Sequence, residues 1–203
     1  MISVTKIEAI NLGKHYQYSW LFRNISFQLT NNQSIAILGK NGAGKSTLLQ
    51  IIYGLVMQNE GFVKINSKEE FKASDVFSFA SPYQLLPDDF SVSELYNYQK
   101  SINKVALSWQ EFKDLLAIQN QYLNNPIKTF SSGMMQRLKN TLAFCSPNPI
   151  LILDEPLSNL DAAGEVWYKN CLDKYRKDKL LILAGNNPKE IELAETTINL
   201  NIK

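Results

Sequence analysis

The sequence is poor in the residues that bind metals or form disulfide bonds. Its 203 residues include one histidine, His15, and two cysteines, Cys145 and Cys171. Two thiols and a single histidine elsewhere in the chain do not supply the ligands of a zinc site. Because both cysteines lie in apolar, helix-like segments, we expect buried, reduced thiols in a reducing compartment. The composition therefore argues against a metal-stabilised or disulfide-stabilised fold.

The sequence also lacks an excess of charge and a long apolar run. Lys and Arg number 21 and Asp and Glu number 19, whereas a dedicated nucleic-acid binder normally carries a concentrated basic face. No run approaches the roughly 20 apolar residues of a spanning helix, and residues 1–16 lack the pattern of a secretory signal. We therefore expect a cytoplasmic protein with no direct nucleic-acid binding and no direct membrane insertion.

Short apolar runs rich in β-forming residues predict strands towards both ends of the chain. Three of them, Ile35–Leu38, Ile150–Leu153 and Leu180–Leu183, are apolar without alternation, as expected of parallel strands covered on both faces. Turn-forming residues bound most of the runs. The predicted strands are Ile25–Leu29, Ser34–Leu38, Phe62–Ile65, Val76–Phe79, Ile150–Leu153, Leu180–Ala184 and Thr197–Ile202.

The middle of the chain has a different pattern. From about Ser91 to Phe144 the apolar residues recur at helical spacing, interrupted by the short loop Asn124-Asn125-Pro126. This pattern predicts a helical subdomain at about 85–145, inserted into an α/β core formed by about 1–84 and 146–203. The whole chain, residues 1–203, is thus predicted to be one domain.

A glycine-rich segment follows the predicted strand Ser34–Leu38 and precedes a helical run at Ser46–Ile52. It satisfies the pattern G-x-x-x-x-G-K-[ST], in which glycines let backbone N–H groups surround a phosphate chain. Lys45 would contact the β- and γ-phosphate oxygens, and Ser46 would ligate Mg²⁺. The predicted nucleotide-binding residues are Gly39, Lys40, Asn41, Gly42, Ala43, Gly44, Lys45, Ser46 and Thr47.

Two carboxylates follow the predicted strand Ile150–Leu153. Asp154 would hold Mg²⁺ through water, and Glu155 would polarise the water that attacks the γ-phosphate. An acidic pair after a strand is a weak signal by itself, but it is a strong one downstream of a phosphate loop. The two motifs together predict a P-loop NTPase.

Residues 130–134, Phe-Ser-Ser-Gly-Met, resemble the LSGGQ-type signature of ATP-binding cassette (ABC) proteins. They precede an apolar helix at Leu138–Phe144, for which Ser131 is an N-cap candidate. Ser132 replaces the first glycine of the family pattern, and Met134 replaces the glutamine. The order of phosphate loop, signature and acidic pair makes the resemblance specific, and it implies a P-loop NTPase core with an antiparallel β part and an inserted helical subdomain.

The resemblance spans nearly the whole chain and implies how the protein works. In the family, the signature residues matched by Ser131 and Gly133 contact the γ-phosphate of ATP held by the other subunit. The D-loop, which links the two sites, is matched by Ser158-Asn159-Leu160-Asp161. Since the chain has one phosphate loop and one signature, the resemblance implies a homodimer, or a heterodimer with another ABC ATPase subunit, around two Mg-ATP.

The resemblance also implies an aromatic residue that stacks on adenine. Tyr16 falls at the family position, six residues before Phe22. Tyr18 and Trp20 are close enough in sequence to compete for this role. We therefore expect Tyr16 to contact the base, with these two residues as alternatives.

Two positions depart from the family pattern. Asn186 stands where the family has its switch histidine, and an asparagine donates a hydrogen bond to the γ-phosphate but carries no positive charge. The predicted catalytic residues are thus Lys45, Glu155 and Asn186, with slow hydrolysis by the isolated protein. The Q-loop ligand of Mg²⁺ falls at Pro82 by spacing, so either the loop is shifted and Gln84 is the ligand, or the ligand is missing.

The best interpretation is the ATPase subunit of a small ABC transporter, held at the inner face of the cell membrane by a permease subunit. The haem-exporter ATPase of cytochrome c maturation is similar in size. Two alternatives stay open. One is a soluble ABC ATPase that acts on DNA or ribosomes, although such proteins carry long insertions or two cassettes. The other is a nucleotide-gated dimerisation module with little turnover, which Asn186 and Ser132 favour.

Overall fold

The computed structural model describes residues 4–67 and 69–200. Eight strands lie in this part of the chain: β1 Val4–Tyr16, β2 Ser19–Thr30, β3 Ser34–Leu38, β4 Glu60–Ser67, β5 Phe77–Ala80, β6 Ile150–Asp154, β7 Leu180–Ala184 and β8 Thr196–Asn199. The helices are α1 Lys45–Tyr53, α2 Ala73–Val76, α3 Val92–Ser101, α4 Trp109–Leu116, α5 Ser132–Phe144, α6 Ala162–Tyr175 and α7 Pro188–Ile191. Short 3₁₀ turns occur at Asn120–Tyr122 and Ile127–Thr129.

The strands form two sheets. One is a three-stranded antiparallel sheet in the order β2-β1-β4, and the other has five strands in the order β5-β6-β7-β3-β8. In the larger sheet β7 pairs in parallel with both β6 and β3, and β3 pairs in parallel with β8. All residues of β6 and β7 are buried, as are the first four of β3. The predicted parallel strands with two covered faces are therefore confirmed.

The first strand, β1, was not among the predicted strands. It pairs with β2 along one edge and with β4 along the other, and irregularities in register interrupt both pairings. Asn11 has a positive φ of 50°, which breaks the alternation of apolar and polar residues that would have identified a strand. Of the predicted strand Thr197–Ile202, the part up to Asn199 lies in β8, and residues 201 and 202 lie outside the described residues.

The chain divides into two compact units. The first comprises the part up to Phe79, then Asn148–Glu155, then the part from Asp178 onwards; the second comprises Ala80–Pro147 and Pro156–Lys177. Both sheets belong to the first unit, together with α1, α2 and α7. Its core is made by aliphatic side chains of the strands and of α1, including Ile7, Leu48 and Ile182. This architecture confirms the predicted α/β core.

The second unit is helical, as the spacing of apolar residues predicted, and it holds α3 to α6. Helix α6 belongs to this unit, although the sequence analysis placed its residues in the core. The reason lies in its packing: the indole Nε1 of Trp167 donates to the carbonyl oxygen of Leu115 at 2.7 Å, and the ring of Tyr168 lies 5.9 Å from that of Phe144. The organisation of the whole chain as one domain stays a prediction.

Both cysteines lie in the helical unit. Cys145 and Cys171 are buried, as expected from their apolar surroundings. Burial raises the pKa of the Cys171 thiol to about 11, so this group stays protonated at neutral pH. Among the residues that the structure describes, no helix is both long enough and apolar enough to cross a bilayer.

Candidate nucleotide-binding site

The glycine-rich segment forms the connection between β3 and α1 in the first unit. Gly42 and Gly44 have positive φ angles of 80° and 99°, which residues with a Cβ adopt at a cost. A Cβ on Gly44 would lie 2.6 Å from Cγ of Leu21, so this position also requires a residue that has no side chain. The backbone therefore follows a path that the two glycines make possible.

Helix α1 begins directly after this loop. The first backbone N–H with an acceptor in the helix is that of Leu48, which donates to the carbonyl oxygen of Gly44 at 2.8 Å. Within the described part of the chain, no side chain caps this end, and the first turn has no acidic residue. The N–H groups that open the helix are thus donors for an anion, and the helix dipole favours negative charge there.

Lys45 is buried at the start of α1, with 5% of its surface exposed. Its ammonium group donates to the carbonyl oxygens of Gly39 and Lys40, at 2.9 and 3.4 Å, and to Oδ1 of Asn186 at 2.8 Å. The amide nitrogen of Asn186 in turn donates to Oδ1 of Asn41. The structure therefore brings together the predicted phosphate-binding lysine and the residue in the switch position, 141 positions apart in sequence.

The acidic pair lies at the carboxyl end of β6. Asp154 is 1% exposed, and Glu155 follows it with a positive φ of 44°. The backbone N–H of Glu155 donates to the carbonyl oxygen of Ala184 at 2.7 Å, which ties this turn to the end of β7. Sparsely populated backbone conformations of this kind concentrate at functional sites. The acidic pair and the segment of Asn186 thus leave the sheet from neighbouring strands.

Hard cations such as Mg²⁺ prefer oxygen ligands, and the first unit offers two of them. The hydroxyl of Ser46 is in the first turn of α1, which packs against β6 and β7. The carboxylate of Asp154 ends β6. Hydroxyl and carboxylate oxygens next to a phosphate loop form a donor set that fits Mg²⁺ bound together with phosphate oxygens.

The candidate adenine-binding aromatics lie at the hairpin between β1 and β2, in the first unit. Tyr16 ends β1 with 53% of its surface exposed, and Tyr18 is fully exposed. The ammonium of Lys14 lies 4.9 Å from the centre of the Tyr16 ring. Trp20 has the Arg23 guanidinium over its ring at 4.4 Å, so that ring is already stacked. The exposure favours the two tyrosines over Trp20.

The signature segment begins α5 in the second unit. The helix starts at Ser132 instead of Leu138, because the Ser131 hydroxyl caps it by accepting from the N–H of Met134 at 3.2 Å. The prediction of the helix start was wrong, whereas that of the N-cap is confirmed. A Cβ on Gly133 would lie 2.9 Å from the carbonyl oxygen of Asn159. The signature and the predicted D-loop therefore touch at this glycine.

A cavity of about 500 Å³ opens at this contact. It is lined by residues 117–119, 122, 131–134, 137 and 159–161, all of which belong to the helical unit. The Arg137 guanidinium at its wall donates to the carbonyl oxygen of Ala117 at 3.2 Å. The exposed start of α5 and a cationic side chain thus face one concave surface.

Gln84 lies in a turn at the start of the helical unit. Its N–H donates to the carbonyl oxygen of Ser81 at 3.1 Å. Its side-chain Oε1 is buried and has no hydrogen-bond partner among the residues that the structure describes. The carbonyl oxygen of Pro82, the alternative by spacing, accepts from the ammonium of Lys139. A buried acceptor without a partner is the kind of atom that a cation or an ordered water satisfies.

Helix α5 also carries a group of buried polar residues that was not predicted, namely Gln136, Lys139, Asn140 and Thr141. Their signal was present, because four polar residues within six positions are unusual on the buried face of a helix. They were read as part of an apolar helix because Leu138, Leu142, Ala143 and Phe144 surround them in sequence.

Comparisons with known proteins agree with this geometry. Residues 22–158 match the family described as ABC transporter. A protein of Thermotoga maritima described as "Probable metal transport system ATP-binding protein" is 28% identical over 177 residues, which cover 85% of this chain and 70% of that protein. A teichoic acids export ATP-binding protein of Listeria monocytogenes is 32% identical over 165 residues, which cover 80% of this chain and 47% of that protein. The match thus spans about half of the second relative.

The fold is also found among solved structures. The dimeric structure of a post-hydrolysis state of an ATP-binding cassette, bound to ADP and Pi, aligns with a TM-score of 0.80 at 20% identity, covering 95% of this chain and 93% of that one. The larger sheet, the phosphate loop and the inserted helices are accordingly those of an ATP-binding cassette. Because the family match covers more than half of the sequence, the chain belongs to the ABC transporter family as an ATP-binding cassette.

Proposed function

We propose that the protein binds and hydrolyses ATP as the nucleotide-binding subunit of an ABC transporter. The observation that carries the proposal is the arrangement in the first unit. There Lys45 at the phosphate loop is hydrogen-bonded to Asn186, and Glu155 is tied to the strand that leads to Asn186. The relatives named above are ATP-binding proteins of transport systems.

The phosphate loop provides the binding energy. In the structure, Lys45 donates to two carbonyl oxygens of its own loop and to Asn186. These acceptors are neutral, whereas the β- and γ-phosphate oxygens of ATP are charged, so the exchange places the ammonium opposite negative charge. Lys45 therefore exchanges these acceptors for phosphate oxygens when ATP binds. The N–H groups that open α1 add further donors to the phosphates.

Glu155 acts on the attacking water. A carboxylate near the γ-phosphate orients this water and accepts its proton as the bond to phosphorus forms. Ser46 and Asp154 would hold Mg²⁺. When bound, the ion neutralises charge on the phosphate oxygens. Asn186 donates through its amide nitrogen to the γ-phosphate, and it does so without the positive charge of a protonated imidazole.

The second half of each site comes from another subunit. The first turn of α5, with Ser131 and Gly133, is exposed on the concave surface of about 500 Å³ in the helical unit. A helix start of this kind binds phosphate. A second copy of this chain, or a related ABC ATPase subunit, would present this surface to the ATP held by the first. Two Mg-ATP would then lie between two subunits.

A membrane permease subunit is the proposed partner. No helix among residues 4–67 and 69–200 is suited to span a bilayer, and the relatives named above carry names of metal transport and teichoic acid export systems. The permease would hold the protein at the inner face of the cell membrane, and closure of the ATPase dimer would drive it. Because the named relatives differ in cargo, the proposal extends to the transport ATPase and not to a particular substrate.

A nucleotide-gated dimerisation module is the second candidate. It is favoured by the position of Asn186 at Lys45, since this contact puts an uncharged amide where the family has a histidine. In such a module ATP closes the dimer and turnover is minor. A steady-state ATPase assay separates the candidates. A transport ATPase releases phosphate at a measurable rate that is lost in Glu155→Gln, whereas a dimerisation module releases almost no phosphate in the wild type.

The binding step is tested by Lys45→Ala. This change removes the cation that faces the phosphates, and a hydrogen bond to a charged group contributes about 1.5–3 kcal/mol. The ATP affinity should fall by about tenfold or more, measured by titration with Mg-ATP. Lys64→Ala, an exposed lysine of β4, is the matched control and should bind as the wild type does. Equal affinity of Lys45→Ala and wild type would rule out the assignment of the phosphate loop.

A further inference from the structure

The signature helix carries a charged side chain in its interior. Lys139, in the middle of α5, is 5% exposed. An ammonium group in such a place loses its hydration and must find acceptors in the protein. No carboxylate lies within ion-pairing distance of it in the part of the chain that the structure describes, and burial lowers its pKa. A buried lysine without an acidic partner is rare enough to need a reason.

The reason lies in the loop that carries Gln84. The ammonium of Lys139 donates to the carbonyl oxygen of Pro82, two residues before Gln84. Both groups belong to the helical unit. The hydrogen bond joins residues 57 positions apart, so it fixes the loop to the helix from the inside. On the other side, the loop is exposed to solvent through Tyr83 and Leu85, at 79% and 94%.

A second tether leaves the same turn of α5. The amide nitrogen of Asn140 donates to the carbonyl oxygen of Pro156 at 2.8 Å, and Gln136 donates to Oδ1 of Asn140 at 3.2 Å. Pro156 directly follows Glu155 in the chain. Lys139 and Asn140 are neighbours on the helix and hold backbone carbonyls of two different loops. Since Ser131 caps α5 and Gly133 lies in its first turn, one helix connects the signature with both loops.

We propose that Lys139 is a positioning residue that clamps the loop of Gln84 to the signature helix. Movement of the loop is then transmitted to the start of α5, and movement of α5 to Gln84. The ammonium suits this role because its long side chain extends from the helix to the carbonyl oxygen of Pro82 and donates to it. An aliphatic residue of the same length would fill the space and leave the loop unattached. The consequence for turnover rests on the proposed function, whereas the clamp itself does not.

Hydrogen exchange of the loop tests the clamp without nucleotide. The N–H of Gln84 donates to the Ser81 carbonyl, and that of Tyr83 donates to the Ser81 hydroxyl at 3.3 Å. Both amides should exchange about tenfold faster or more in Lys139→Met, because local opening becomes easier. Lys139→Arg keeps a donor and should restore protection, and Lys169→Met, an exposed lysine of α6, should not alter it. Wild-type protection of both amides in Lys139→Met would overturn the proposal.

Steady-state kinetics test the consequence. Lys139→Met should lower kcat for ATP hydrolysis by about tenfold to a hundredfold, because small displacements far from the reacting atoms have effects of this size. KM should stay unchanged, since the phosphate loop lies in the other unit. Lys139→Arg should recover most of kcat. An unchanged kcat in Lys139→Met would overturn the positioning role. If this variant does not fold, Lys139→Gln, with a shorter neutral side chain, takes its place in both experiments with the same expected results.

A failure of the proposed function and a failure of the clamp give different results in these experiments. A wild-type protein that neither binds nor hydrolyses ATP would contradict the proposed function, and the exchange experiment would still decide on the clamp. Wild-type ATP hydrolysis with unchanged loop protection in Lys139→Met would contradict the clamp alone.

Discussion

At the scale of single residues, Asn186 is the position that most distinguishes this cassette from the family pattern. Its amide accepts from Lys45 and donates to Asn41 at the same time. An asparagine can do both because its amide has an acceptor and a donor end. A protonated imidazole has two donors only and could not accept from the ammonium of Lys45. The contact therefore explains how an uncharged side chain is held at the phosphate loop before ATP binds.

A charge introduced at this position should act directly on ATP. In Asn186→Asp a carboxylate would pair with Lys45 in the free protein and repel the phosphates, so we expect the ATP affinity to fall by about tenfold or more. Titration with Mg-ATP measures this effect. Asn170→Asp, at an exposed position of α6, adds the same charge elsewhere and should bind as the wild type does. Equal affinity of Asn186→Asp and wild type would place residue 186 away from the phosphates.

The complementary change restores the family residue. Asn186→His supplies an imidazole that can orient the γ-phosphate and absorb developing charge, and groups of this kind contribute about 10²–10⁴-fold to rate. We expect kcat to rise above that of the wild type, provided that Glu155 is intact. The double variant Asn186→His with Glu155→Gln should be inactive, because the role proposed for Glu155 is to act on the water and not on the phosphate. Brisk hydrolysis by the double variant would contradict both roles.

At the scale of elements, the start of α5 is closely packed against the D-loop. Gly133 has the carbonyl oxygen of Asn159 2.9 Å from where a Cβ would be, and this neighbour is backbone, which cannot rotate away. Gly133→Ala should therefore displace the helix start or the D-loop while the rest of the fold is kept. We expect a melting temperature close to that of Ser132→Ala, an exposed neighbour, but a loss of ATP-dependent dimers in the Glu155→Gln background. Dimers in normal yield would contradict the role of this contact.

Helices α3 and α4 of the second unit begin with capping boxes whose glutamates respond to pH. Hydrogen bonds from the backbone and hydroxyl of Ser91 hold the pKa of Glu94 below its usual value, and those from the hydroxyl and backbone of Ser108 do the same for Glu111. Because the pKa values of the two glutamates are lower in the folded state, their contribution to the free energy of unfolding is fully present above the usual glutamate pKa. It is lost as the pH falls through the folded-state values.

Thermal unfolding tests the direction of this pH dependence. The double variant Glu94→Gln with Glu111→Gln should melt below the wild type at neutral pH, and the difference should narrow as the pH is lowered through the acidic range. Asp173→Asn, an exposed carboxylate of α6, removes a similar charge without a cap and should follow the wild-type curve. A difference that stays constant or widens in acid would contradict the assignment of the caps.

At the scale of the whole molecule, the sequence predicts the features whose signal is local. The strands β3 and β7 have the predicted bounds, because buried parallel strands are short, unbroken apolar runs. The phosphate loop, which follows β3, and the acidic pair, which lies at the end of β6, are contiguous motifs. Ser131 was predicted as a cap from its neighbours alone. Local chemistry determines each of these features.

The features that the sequence analysis missed depend on contacts between distant segments. Strand β1 is held by partners on both edges, and its bulges remove the alternation by which a strand is recognised. Helix α6 belongs to the helical unit because of the contact between Trp167 and Leu115. Lys139 donates a hydrogen bond to the carbonyl oxygen of Pro82, 57 residues away. No local pattern specifies such pairings, since they arise only when the fold brings the segments together.

The central claim is that two copies of the chain enclose ATP between the phosphate loop of one and the signature of the other. Light scattering of Glu155→Gln with and without Mg-ATP tests it most directly, because this variant binds ATP without removing it by hydrolysis. We expect the mass of one chain without nucleotide and twice that mass with Mg-ATP, with no change in the double variant Glu155→Gln with Lys45→Ala. A mass of one chain at saturating Mg-ATP would show that the two copies do not enclose ATP in this way.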